Sequence, residues 1–548
     1  MPLSQAGMIY PMTVGAIDFP ARIAGALHAN PLEWHPRRLS VVLAVVVAVG
    51  YLMWSPTVPD LAAQTAWAHL VHRSGLVPVF ARWYEGIGTG SYSLLAPWFM
   101  AVLGVRLVGA LSAASTIVVG AELLTAARRP RLGIAMFSLC TAADLLCGRI
   151  TFAMGLAVGT GAALALARRR PLLATTLAVA ACLTSPVAGV FLLVPAAALA
   201  ISDPSRRKEA IFAGSGVIAA LGVLHLAFPL SGYEPFTREL LIESLAIQIG
   251  AAIVPVGRFV RLSALLGAGA LVVTYLIHTP LGGNVARLPV LIMPAAVVAD
   301  VAVRRFSSLA IAALLSIYPI AQAVSDVSAS FDGAASLPFT AGLAARLADD
   351  PLAHSQRIEV VDSRTHWGAT RLADAGISLS RGWLTQLDET QNPLFYGREP
   401  LTAESYRDFL DRTATGYVAL EHGVPLETGS QAEATLVGQG LPYLTPVWSD
   451  EYWTLYRVAN PRPLATGAAT VVRTTDTGVL LYAQRPGWAY VDVNWSPFLK
   501  VDGGEVVRDG SHISVDLDSV GLHNVRAVWP WANASPAPSS SLESPAHG

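Results

Sequence analysis

The sequence predicts a polytopic α-helical membrane protein of about eleven spans with a C-terminal extracytoplasmic α/β domain and β-sandwich. Three observations carry this. Apolar runs rich in Ala, Leu, Val and Gly recur between 39 and 325. Basic clusters fill every second gap between them. From Ser328 onward the chain turns polar and mixed. Only 14% of residues are charged, against about 25% in a soluble chain, and mean hydropathy is +0.49. A net charge of −1 creates no field toward nucleic acid, so no such partner is expected.

Residues 1–38 are mixed and lack an apolar core, which reads as a cytoplasmic N-terminal segment with no cleavable signal. The first run, 39–54, then acts as an uncleaved anchor, and 39–327 form the transmembrane domain. Further runs lie at 106–127, 131–148, 150–168, 171–184, 186–202, 209–228, 240–255, 261–277, 286–303 and 307–325. A span takes about 17–25 residues. The short runs 171–184 and 240–255 are kept because helices shielded from lipid tolerate brevity.

The positive-inside rule orients the set. Arg37 and Arg38, Arg128 to Arg131, Arg168 to Arg170, Arg206 to Lys208, Arg258 with Arg261, and Arg304 with Arg305 all fall on one side if the spans alternate. That side is the cytoplasm. The loop 55–105 and everything after Ser328 then lie outside, in a multi-pass plasma-membrane protein.

The loop 55–105 is too long for a simple turn. Pro59-Asp60 is expected to cap a surface helix over 61–73. SYSLLAPWFMAVLG at 91–104 is apolar but too brief to span, so it reads as an interfacial or re-entrant helix. Cys140, Cys147 and Cys182 all sit in the apolar half and read as buried apolar side chains.

Residues 328–462 alternate strand-like runs (RIEVVDS, TGYVALE, YWTLYRV) with helical SYRDFLDR, an α/β pattern. Residues 463–532 hold TGVLLYAQ, WAYVDVNW, FLKVDG, HISVDL and HNVRAVW between Gly and Asp turns, the pattern of a small sandwich. The Pro/Ser-rich 533–548 read as a disordered tail.

No P-loop, HExxH or paired CxxC motif occurs. Candidate chemistry rests on polar residues at outer ends of spans. Asp60 is either a helix cap or a general base that takes the proton of an attacking hydroxyl. Arg82, Tyr84 and Glu85 in RWYEG are either an interfacial belt or a phosphate and sugar contact. His69, His72 and Arg73 read as a solvated face or a phosphate contact. Asp144 and Arg149, at the end of the third run, are either a structural pair or a functional one. Glu234 and Arg238, then His278, Asn284 and Arg287, complete the outer polar set. Asp60 with Glu85 would also suit an oxygen-ligated Mg²⁺, Mn²⁺ or Ca²⁺. Trp488, Tyr490 and Trp495 are possible sugar-stacking faces or core residues; the first two share a strand face by period 2.

An acid in the first outer loop (VPDLAAQ), surface helices, the SYSLLAP return and a soluble domain after the last span resemble the GT-C superfamily of multi-pass glycosyltransferases. The segments 381–420 and WSDEYWTLYRV resemble actinobacterial membrane proteins of this type. The resemblance covers about 39–460 and implies a polyprenyl-phosphate-linked sugar donor, transfer on the extracytoplasmic face, and Asp60 in the place of the first-loop acid. Many members carry a second acid soon after the first; here the next acid in the loop is Glu85.

The expected function is therefore transfer of a sugar from a polyprenyl-phosphate donor to a cell-envelope glycan or glycolipid. Arg149 and Arg287 hold the phosphate and Asp60 acts as base in this scheme. The rivals are a lipid or polysaccharide transporter, which calls for inverted repeats in the membrane half, and a non-catalytic scaffold for envelope assembly, which needs no converging polar groups.

Overall fold

The computed structural model describes residues 35–229 and 232–531. Most of the expected N-terminal segment and all of the expected tail lie outside these residues. Among the described residues, seven helices are long and apolar enough to cross a membrane: Pro36–Trp54, Val105–Leu124, Ile150–Ala167, Pro204–Ala227, Arg258–Leu276, Gly282–Asp300 and Arg305–Ala329. This is the pattern of a multi-pass membrane protein. Val41, Val45, Val46 and Met53 on the first of them are exposed, as lipid-facing side chains are.

The remaining expected runs are also helical but shorter or broken. Pro130–Leu146 has 17 residues, Pro171–Thr184 has 14 and Arg238–Ile253 has 16. The run at 186–202 divides at Leu192 into Pro186–Phe191 and Leu193–Ser202. Gly282–Asp300 is likewise composite: a 3-10 turn Gly282–Ala286, then Arg287–Leu291 and Met293–Asp300. Pro294 follows that second break and, lacking an N–H, opens a new helix more readily than it continues one.

The basic loops gather at one end of the bundle. Arg37 and Arg168 both reach Glu122, at 2.8 and 3.3 Å. Arg129 donates to the carbonyls of Val301 and Val303, and Arg206 to that of Leu166. At the other end, Ser93 donates to the Thr184 carbonyl at 2.6 Å, and Glu234 N–H to that of Thr279 at 3.0 Å.

On this second end the first loop forms the helix Pro59–Ser74, a two-residue hairpin (β1, Val79–Phe80; β2, Ile87–Gly88) and the short helix Ala96–Leu103. The last agrees with the short apolar helix expected there.

The C-terminal region is sheet-rich. Its first part has β3 (Arg357–Val361), β4 (Thr415–Glu421), β5 (Leu444–Ser449) and β6 (Trp453–Val458) in the order β3-β4-β6-β5. Only β3 and β4 run parallel, joined through helices that include Trp367–Asp374 and Ala403–Arg412. The second part has β7 (Ala465–Gly467), β8 (Ala469–Thr475), β9 (Gly478–Ala483), β10 (Gly487–Val491), β11 (Leu499–Val501), β12 (Gly504–Asp509), β13 (His512–Leu517) and β14 (Gly521–Ala527). These make two four-stranded antiparallel sheets, β12-β13-β10-β7 and β11-β14-β9-β8.

Both sheets contribute to one core with Leu481, Val491, Val515 and Val525. The same core takes in Ala220, Leu224 and Phe228 at the end of a membrane helix. The Phe228 ring lies where a side chain on Gly90 would sit, at 2.0 Å from a Cβ built there.

Candidate functional site

The first outer loop is a three-way joint, and it divides the candidate residues into two groups. Arg82, Tyr84 and Glu85 face the C-terminal region. Arg82 Nε pairs with Asp476 at 2.9 Å, and its Nη1 donates to the Gly376 carbonyl and to Thr474 Oγ1. The Tyr84 hydroxyl donates to the Gly382 carbonyl at 2.8 Å, with the ring fully buried. Glu85 meets His512 Nε2 at 2.9 Å, and Asn494 Nδ2 donates to the Tyr84 and Gly86 carbonyls. Burial alone would raise the Glu85 carboxyl. The His512 hydrogen bond and the charges of Arg357 and Arg412 hold it below its ordinary value instead. These residues fasten the loop to the two sheet regions.

The second group converges on the end of the helix bundle opposite the basic loops. Asp60 is not the helix cap expected of it. Val58 occupies the N-cap position, no side chain caps the helix, and Pro59 stands in the first turn, where its missing N–H costs nothing. Asp60 sits in that first turn, favourably placed against the helix dipole, and its carboxylate turns to Arg149 Nε at 3.1 Å. The sequence permits this approach through Gly148. Its φ of +79° suits glycine, and a Cβ there would come within 2.5 Å of Val58 Cγ2. The turn carrying Arg149 therefore lies directly against the start of the Asp60 helix.

Arg149 is ringed by carboxylates. Asp144 lies at 3.7 Å and Asp326, from the last membrane helix, at 3.9 Å. One Asp144 oxygen is buried with no hydrogen-bond partner. Arg287 shares electrostatic reach with Arg149, Asp60, Asp144 and Glu234. Its guanidinium lies 5.2 Å from the Phe152 ring centre, and among the described residues no carboxylate comes within 4.0 Å of it. Asn284 stands in the 3-10 turn just before Arg287. Glu234 sits at the same end in the loop 232–237. Burial pushes its carboxyl up to about 7, Arg287 opposes the shift, and Asp60 reinforces it.

A polar underlay supports the cluster. Gln64, one turn beyond Asp60, bonds Tyr92 and accepts from the Thr151 N–H at 3.1 Å. From above, Trp383 Nε1–H donates to the Pro59 carbonyl at 3.0 Å, and Trp367 Nε1–H to that of Thr57 at 3.2 Å. Two tryptophans of the C-terminal region thus hold the backbone on either side of Val58, immediately before Asp60.

No family model matches the chain, and no curated protein is similar to it.

The remaining candidates are dispersed. His69 pairs with Asp374 at 2.6 Å and Arg73 with the same carboxylate at 2.7 Å, at the far end of the Asp60 helix. Trp488 and Tyr490 share the outer face of β10, with Trp488 54% exposed, while Tyr490 bonds His512. Trp495 packs against the sheet core under Arg508. Asp60 and Glu85 serve different clusters, one with Arg149 and one with His512. Among the described residues no group of three or more His, Cys, Asp and Glu is arranged to hold a metal ion.

Sequence reasoning did not single out Gln64, Tyr92, Thr151 or Asp326. Asp326 carried a usable signal, an acid within an apolar helix. The others are ordinary polar residues whose role appears only through their partners.

Proposed function

We propose that the chain is a membrane glycosyltransferase that moves a sugar from a polyprenyl-phosphate donor to an envelope glycan or glycolipid. One observation carries the reading: Asp60, Arg149 and Arg287, distant in sequence, meet at a single end of the helix bundle. Because the basic loops gather at the opposite end, the positive-inside rule assigns this end to the extracytoplasmic face. On this reading eleven helical runs cross the membrane, the shorter ones shielded within the bundle. The C-terminal sheets form an exported α/β unit followed by a β-sandwich.

Arg287 is the natural phosphate ligand. It is a deep cation with no carboxylate within 4.0 Å among the described residues, whereas Arg149 is already ringed by three acids. Arg149 then positions Asp60, and Asp60 accepts the proton of the attacking acceptor hydroxyl. The side chain of Asp60 is 33% exposed, so an acceptor can reach it.

The test is Asp60→Asn in purified full-length protein, with transfer measured from a polyprenyl-phosphate sugar. Asn retains the shape but cannot take the proton, so transfer should fall by about 10²–10⁴. Folding should persist, because Asp60 caps nothing. Wild-type transfer by this variant would remove Asp60 from the mechanism.

A further inference from the structure

A second polar cavity lies at the other end of the Asp60 helix, in a place no part of the transfer scheme uses. Its volume is about 600 Å³, within the range of small-ligand sites. Its walls come from the first outer loop, the α/β part and the sheet part, so it exists only where all three meet. The charged lining consists of Arg73, Arg82, Arg473 and Arg526 with Asp374 and Asp476. Arg526 is further paired with Asp502 at 3.3 Å, so four cations set against these three anions leave a surplus of one positive charge.

The partners of these groups show which charge is available. Asp476 is spent on Arg73 at 3.0 Å and Arg82 at 2.9 Å. Asp374 is spent on Arg73 and His69. Arg473 has no carboxylate within 4.0 Å among the described residues, and its charge is felt at Arg82.

The sequence places Arg473 there through a bulge. Val471 pairs with Leu481 on β9 and Arg473 with Leu480, so Val472 is an extra residue on β8. One extra residue moves every later side chain to the opposite face. Arg473 is thereby turned outward and exposed, while Thr474 turns inward to bond Arg82. Without the bulge the guanidinium would face the sheet core. Thr475 and Thr477 line the same wall, the Thr475 hydroxyl oxygen being buried beneath its surface.

We infer that this cavity binds a phosphate- or carboxylate-bearing anion through Arg473 on the wall formed by the β8–β9 hairpin. The inference stands without the transferase reading. Arg73 and Asp60 are 13 residues apart on one helix, which is about 20 Å at 1.5 Å per residue. The two sites are therefore separate.

The experiment uses full-length protein in detergent, with tripolyphosphate and a glucuronate trisaccharide as probes in calorimetric titrations at low and high salt. At least one probe should bind saturably at low salt and weaken as salt screens the charges. Arg473→Glu should reduce that binding by about tenfold or more, a loss of about 1.4 kcal/mol. Arg287→Gln should leave it in place. The probe that binds tells phosphate from carboxylate. Arg473→Gln serves if the charge reversal perturbs folding, as read by thermal unfolding. Absence of saturable binding by either probe overturns the inference, as does binding indifferent to Arg473. Loss with Arg287→Gln alone would assign the anion to the bundle-end site, sinking this inference while supporting the transferase reading.

Discussion

The two sides of the loop 55–105 border the same residue types in opposite states. Toward the C-terminal region, Arg82 is saturated by Asp476, Thr474 and a carbonyl, and Glu85 is drawn below its ordinary value by His512 and neighbouring arginines. Toward the bundle, Arg287 has an aromatic ring but no close carboxylate, and Glu234 is pushed up to about 7. A charge matched by its surroundings is a fastening. A charge held short of its match is a place for something else to bind, and the cost of keeping it so must be met by the surrounding fold.

Three substitutions sharpen or break this contrast. The largest effect on stability is expected from Arg82→Ala. It strips a buried pair and leaves Asp476 with Arg73 and the Ser74 hydroxyl, so unfolding free energy should drop by about 3–5 kcal/mol. A small change in denaturant midpoint would place Arg82 on the functional side after all. Arg287→Gln should do the reverse, leaving thermal stability close to wild type while donor affinity falls about 10- to 100-fold. That is the range of a lost hydrogen bond to a charged group, about 1.5–3 kcal/mol. A collapsed melting temperature with unchanged donor binding would make Arg287 another fastening.

The smallest effect is a change of shape rather than size. Glu234 is protonated below about 7 and charged above it. Its negative charge adds to that of Asp60, so the anionic donor should bind better on the acid side of that midpoint. Glu234→Gln keeps the site permanently neutral at that position. The wild-type decline in donor binding as pH rises through about 7 should therefore flatten in the variant. An identical pH profile in both proteins would detach Glu234 from the site.

How much of this was legible beforehand follows from what each residue depends on. Apolar runs report helices because burial in lipid is decided within the run itself, and each expected segment is helical. The breaks at Leu192 and Ile292 were not read, although Pro195 and Pro294 just beyond them mark each one. Asp60, Arg149 and Arg287 stood out as ionisable groups at span ends, but their meeting depends on packing among helices far apart in sequence. The loop misled where its partners are remote. Arg82 and Glu85 look like a surface cluster until Asp476 and His512, 394 and 427 residues away, close over them. The capping role assigned to Asp60 failed for a local reason, because the helix begins at Pro59, two residues before the expected start at 61.

The two tryptophans that grip the backbone before Asp60 set an order in time. Trp383 stands 324 residues beyond Pro59 and Trp367 310 beyond Thr57. At a synthesis rate of about 5–20 residues per second, the loop waits roughly 15–65 s for its clamps. During that interval Asp60 already has Arg149, 89 residues further on, but the backbone before it lacks its indole donors. The last membrane helix, with Asp326, also arrives before the tryptophans do. A chain cut short after that helix would carry every charged residue of the bundle-end cluster and still lack the two indole contacts to the backbone before Asp60.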